Sequence, residues 1–151
     1  MCLNIVAILL VVFAVVALLD SILALLPFAE PVQIVTLFSY LFYPVCFLFG
    51  IPVGELSVAS GLMAQKLVLN ELVSYQALAG LPEGALSAKS KVLMVYAMCG
   101  FANFGSLGIL LGGLTTMMPV RKSEIVELSW KSVLAGTLAT MYTACLIGLI
   151  V

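Results

Sequence analysis

The chain has 151 residues, 64% of them hydrophobic and 9% charged, with a mean hydropathy of +1.30. Soluble domains run at roughly 45–50% apolar and about 25% charged, so most of this surface is built to face lipid, and a lipid bilayer is its first partner. A net charge of −1, six Lys and Arg together and no histidine are too little to grip a nucleic-acid backbone, so no nucleic acid is expected as a partner.

Residues 3–28, LNIVAILLVVFAVVALLDSILALLPF, are broken only by Asn4, Asp20 and Ser21. At 1.5 Å per residue this run reaches roughly 39 Å, enough for a tilted crossing of a ~30 Å hydrocarbon core, and it predicts a spanning helix over 1–28. A signal peptide would need a basic start, a shorter apolar run and a small-residue cleavage pattern. Pro27, Glu30 and Pro31 end the helix. Residues 32–50 follow, with Phe38, Tyr40, Phe42, Tyr43, Phe47 and Phe49 around Pro44. Aromatic rings gather at headgroup depth and proline kinks a helix, so this stretch is expected to lie along the interface.

Residues 51–80 are apolar enough to enter a membrane, yet Glu55, Ser57, Ser60, Gln65, Lys66, Asn70, Glu71 and Ser74 interrupt them. A charge at depth costs at least ~2.5 kcal/mol even on the lenient insertion scale. The polarity predicts a segment shielded by protein: a re-entrant helical hairpin over 52–80. A polar loop, 81–91, leads to an element over 92–118 that carries Gly100, Gly105, Gly108, Gly112 and Gly113. Each interior glycine costs a helix about 1 kcal/mol relative to alanine, which predicts unwinding near its middle. Residues 119–130, with Arg121, Lys122, Glu124 and Glu127, are expected outside the hydrocarbon core, before a final span over 132–151. Three basic residues at 121, 122 and 131 against two at 89 and 91 favour the loop at 119–131 as the cytoplasmic one.

Cys2, Cys46, Cys99 and Cys145 are too far apart for a zinc pair or a small disulfide framework and read as buried thiols. With no histidine, no paired carboxylates on one helix face and no nucleophile motif, an enzyme is not expected, and neither a catalytic residue nor a metal ligand is assigned. Two clusters are candidates for binding. Asn70 and Glu71 stand in the hairpin, and GFANFGS, residues 100–106, in the glycine-rich element. Helical residues three and four apart share a face, so Gly100, Asn103 and Ser106 are expected to form one polar stripe and Phe101 and Phe104 an aromatic one, the mixture a sugar or ring ligand needs. The same small polar residues also serve as glue between membrane helices. Glu71 has two readings of its own: a functional carboxylate at depth, in a broken segment of the kind that holds transporter sites, or half of a buried ion pair with Lys66. Asp20 and Glu55 read as interfacial.

KLVLNELVSY (66–75), AMCGFANFGSLGILLGGL (97–114) and LAGTLATMYTACLIGLI (134–150) resemble, in order and spacing, the C-terminal region of concentrative nucleoside transporters. The resemblance implies an all-α integral membrane fold that is one half of an inverted-repeat transporter. Residues 1–50 would be scaffold and 51–151 the moving transport part. It implies a homotrimer in the plasma (inner) membrane, multi-pass, moving a nucleoside with Na⁺ or H⁺. By the same likeness Glu71, Asn103, Ser106 and Phe101 are substrate-binding, on the ribose side. Ala64 and Gln65 stand where the family's hairpins commonly carry Gly-Thr, and Leu72 where they carry Phe. The GQTE-type first hairpin, which in the family reads the base and builds most of the cation site, has no counterpart, so an N-terminal half is the expected partner and transport by this chain alone is not expected. The alternative is a half-size, gate-like assembly protein of the same architecture.

Overall fold

A computed structural model describes residues 2–27 and 32–151. Glu30 and Pro31, expected to close the first helix, and the side chain of Cys2 lie outside the described residues. The fold is all-α, with no strand among the described residues. Helix α1 (Cys2–Leu23) is apolar on all sides, and its Val6–Leu23 stretch is long and apolar enough to cross a bilayer. Asp20, expected at the interface, plays a structural part. Its Oδ1 accepts the backbone N–H of Ile34 at 2.7 Å and so caps the start of the next helix.

That helix, α2 (Ile34–Leu48), runs through Pro44, and its aromatics divide by face. Tyr40, Tyr43 and Phe47 are exposed, whereas Phe42 is buried with Cys46, Phe49 and Ile51 in the core beside α3. Phe38 meets Phe104 edge-on, with ring centroids 5.8 Å apart. Gly50, at φ +88°, turns the chain in a conformation that side-chain-bearing residues rarely adopt.

The polar stretch expected as a hairpin folds as helix, break, helix: α3 (Leu56–Val68), then α4 (Glu71–Ala79). The chain doubles back because Asn70 adopts an extended backbone and its Oδ1 accepts Val73 N–H at 2.9 Å, starting a new helix instead of continuing the old one. The arms are held by Ser74, whose hydroxyl donates to the Leu62 carbonyl at 2.7 Å. The two ends of the excursion are joined as well: Ser87 Oγ donates to Glu55 Oε2 at 3.2 Å, so Glu55 is a tie between segments.

Helix α5 (Ala88–Met98) starts earlier than expected because Ser87 caps it, its Oγ accepting Ser90 N–H. The chain is then non-helical until α6 (Phe104–Met117), so the predicted unwinding occurs, but at Cys99–Asn103. Of the five glycines only Gly100 lies in the break. Gly108 and Gly112 sit inside α6, where a Cβ would come 2.3 and 2.5 Å from Ile8 of α1; they serve close helix packing. Cys99, at the end of α5, is exposed, contrary to its reading as a buried thiol, while Cys46 is buried and Cys145 partly so.

Helix α7 (Lys122–Ile150) begins at Lys122 and not at Ser132. The charges that marked 119–131 as a loop are spaced to support a helix. Arg121 pairs with Glu124 and Lys131 with Glu127, three and four residues apart. With the 3₁₀ turn Pro119–Arg121, this is the second helix long and apolar enough to cross a bilayer. Helices α2, α3, α5 and α7 enclose the main core, with Met63, Leu93, Met94, Met98 and Ala144 at its centre.

Candidate functional site

The two interrupted segments meet at their breaks. Glu71 is the first residue of α4 and Asn103 the N-cap of α6; Asn103 Nδ2 donates to Glu71 Oε2 at 2.8 Å. The N-terminus of α6 stands against the hairpin tip, for a Cβ on Gly105 would lie 3.6 Å from the Leu69 carbonyl. Two helix N-termini, each with unpaired N–H groups and the positive end of its dipole, thus converge on one carboxylate.

Asn103 is held from both ends. Its Oδ1 accepts Ser106 N–H at 2.6 Å, while Ser106 Oγ accepts Asn103 N–H at 3.0 Å and lies 2.8 Å from the Asn103 carbonyl. This is a reciprocal capping box. It fixes the amide so that Nδ2, with two hydrogens, faces Glu71. Asn103 is 1% exposed and Ser106 buried, whereas Glu71 is partly exposed.

Three expectations change here. Gly100, Asn103 and Ser106 do not share a helix face, because 100–103 is not helical; the three-residue spacing of Asn103 and Ser106 is that of N-cap to N3. Phe101 and Phe104 form no common stripe: Phe101 stands in the break, 63% exposed, and Phe104 opens α6 against Phe38. Lys66 and Glu71 form no ion pair within 4.0 Å, and the fully buried Lys66 Nζ has no hydrogen-bond partner among the described residues.

Phe101 and Ser106 line a cleft of about 440 Å³ between the break and α7, with Gly100, Ala102, Leu107 and Ser132 also on its wall. Glu71 does not line it. The candidate residues therefore form a bonded trio, Glu71, Asn103 and Ser106, with Phe101 beside it on the cleft. The capping role of Asn70 went unread in the sequence, although Asn before an acidic residue is itself a helix-start signal.

Residues 1–148 match the family described as Na+ dependent nucleoside transporter C-terminus. The chain belongs to this family. Among its relatives, the uncharacterized transporter YutK of Bacillus subtilis is 42% identical over 120 residues, which cover 80% of this chain and 30% of YutK. Sodium/nucleoside cotransporter 1 of Sus scrofa is 36% identical over 126 residues, covering 74% of this chain and 20% of that protein. In three dimensions the chain superposes on a variant of CNTnw in its intermediate 2 state with a TM-score of 0.89 and 32% identity, over 99% of this chain and 38% of CNTnw. On CNTnw in an inward-facing substrate-bound state the TM-score is 0.78 at 33% identity, over 95% and 36%. The Na+ dependent nucleoside transporter C-terminus fold is therefore all-α and transporter-like here, and the chain spans between 20% and 38% of the length of these relatives.

Proposed function

We propose that this chain is the ribose-recognising C-terminal part of a cation-coupled nucleoside symporter. The observation that carries the reading is the Glu71–Asn103 pair where two helix N-termini meet. An ionised carboxylate accepts hydrogen bonds and donates none. Asn103 engages one oxygen of Glu71 and no group among the described residues engages the other, so the partly exposed carboxylate keeps an acceptor for a sugar hydroxyl. Phe101 offers the adjacent flat apolar surface, and Ser106, committed to the capping box, holds Asn103.

Relatives named as sodium/nucleoside cotransporters support the nucleoside and the cation of the wider assignment. The substrate is a nucleoside, the coupling ion Na⁺ or H⁺ bound mainly by the N-terminal region of the full-length transporter, and the assembly a multi-pass homotrimer in the plasma membrane. Residues 1–50 act as scaffold and 51–151 as the moving part.

The test is competition for uridine uptake by a full-length transporter carrying this region. Hydrogen bonds to charged groups contribute roughly 1.5–3 kcal/mol, so a nucleoside lacking the 2′ and 3′ hydroxyls should compete on the order of ten- to a hundredfold more weakly. Glu71→Gln should shrink that penalty. Equal competition in the unmodified protein would show that Glu71 does not read the sugar.

A further inference from the structure

Helix α5 gives up its regular bonding just before the break. In an α-helix the Val95 carbonyl would accept the N–H four residues on, but Cys99 N–H turns to Tyr96 at 3.2 Å and Gly100 N–H to Met98 at 2.8 Å. In a chain surrounded by lipid, a backbone carbonyl left without a donor is costly. The donor comes from the hairpin: the Tyr75 hydroxyl donates to the Val95 carbonyl at 2.8 Å. A phenylalanine would suit so apolar a setting equally well, and only the hydroxyl makes this bond. Ser74 seats the same helix against the same place, its Oγ lying 2.7 Å from Met98 Sδ while it bonds Leu62.

Tyr75 stands four residues after Glu71, and positions four apart share a helix face. That face of α4 therefore reaches across the break: Tyr75 bonds Val95 before it, and Glu71 bonds Asn103 at its end. Between the two anchors, Phe101 and Ala102 donate no backbone hydrogen bond to any described residue. Helix α7 packs on the segment through small groups, where Gly100 and Gly136 admit Thr140 and Ala102. Such contacts limit approach without setting direction, whereas a hydrogen bond sets both distance and angle. We propose that Tyr75 is a positioning residue, and that α4 acts as a splint whose two side-chain bonds hold the unwound 99–103 segment and so fix where Phe101 and Asn103 are presented. Glu71 alone holds only the end that enters α6; Tyr75 holds the end that leaves α5. That the held segment meets ribose rests on the preceding reading; that Tyr75 holds it does not.

The two are separated by amide hydrogen exchange of the purified full-length transporter without nucleoside. In Tyr75→Phe, and in Tyr75→Leu should the first not fold, the peptide carrying 99–103 should exchange roughly two- to tenfold faster, the worth of one neutral hydrogen bond, while peptides from α3 and the middle of α6 stay as they are. Tyr96→Phe removes the hydroxyl of an exposed ring on α5 itself; it is the control and should leave the segment unchanged. Uridine affinity in Tyr75→Phe should fall by a similar factor, because only the held conformer binds. Unchanged exchange in 99–103, the same acceleration in the control, or acceleration spread evenly over α3, α5 and α6 overturns the proposal, the last by making the bond an ordinary stabilising one. Faster exchange confined to the segment with unchanged uridine affinity upholds the splint and overturns the ribose reading instead.

Discussion

Asn103 shows how much one side chain in this site carries. Its oxygen starts α6, its nitrogen holds Glu71, and its backbone N–H is held by Ser106. These roles come apart by substitution. Asn103→Asp keeps an oxygen for the Ser106 N–H but sets a second carboxylate against Glu71 in place of a donor. Nucleoside affinity of the full-length transporter should fall at least tenfold at neutral pH, a loss in line with bonds to charged groups. An unchanged affinity would remove Asn103 from the site. Asn70→Ala removes only a cap, so about 1 kcal/mol of stability should go, read as a lower unfolding midpoint in detergent, with affinity little altered. Glu71 and Asn103 were visible in the sequence because polar groups in so apolar a chain demand a reason. Their bond was not, for the two are 32 positions apart and only the folding of both breaks to one place joins them.

Among the elements, the breaks were legible and the causes only partly so. The hairpin was announced by its polarity, yet it turns on Asn70 as an N-cap. The interruption before α6 was expected from glycine content, yet four of the five glycines are helical. Glycine reads alike in a sequence whether it frees a backbone or admits a neighbour, and only the neighbour's position tells which. Paired substitutions separate the two uses. Gly113 has nothing within 4 Å of a built Cβ, so Gly113→Ala should raise stability by up to about 1 kcal/mol through helix propensity. Gly108→Ala gains the same propensity but drives a Cβ into the branched side chain of Ile8; overpacking costs about 1–3 kcal/mol, so this variant should unfold at a lower temperature. Equal shifts for both would mean that α1 does not seat on α6. The start of α7 was misplaced for a related reason: charges at helical spacing support a helix as well as they mark a solvated loop.

For the whole molecule, the bond between Glu55 and Ser87 closes the excursion of α3 and α4 into a loop that begins and ends at one level. Cysteines placed at the exposed Gly54 and Glu83 should therefore react with an impermeant reagent from the same side of the membrane in the full-length transporter. Labelling from opposite sides would make the segment a crossing and invert the chain after it. The all-α architecture and the nucleoside-transporter resemblance were readable from composition and motif order, whereas the way α2 shares its core with α3 was not, since Phe42 and Phe49 look like any other interfacial rings until one face is covered.

The seat of Ile8 on Gly108 and Gly112 also governs how α1 and α6 can shift along each other. The two glycines are one helical turn apart and act as adjacent notches, with Ile8 as the tooth resting across both. A shift of a single residue presents it with Ile109 or Leu111, too bulky to enter. A full turn, about 5.4 Å, brings one notch back under the tooth but sets Phe104 or Thr116 in place of the other. Travel along this contact is therefore stepped, with a bulkier stop at either end, and any gradual movement between the two helices has to begin by lifting them apart.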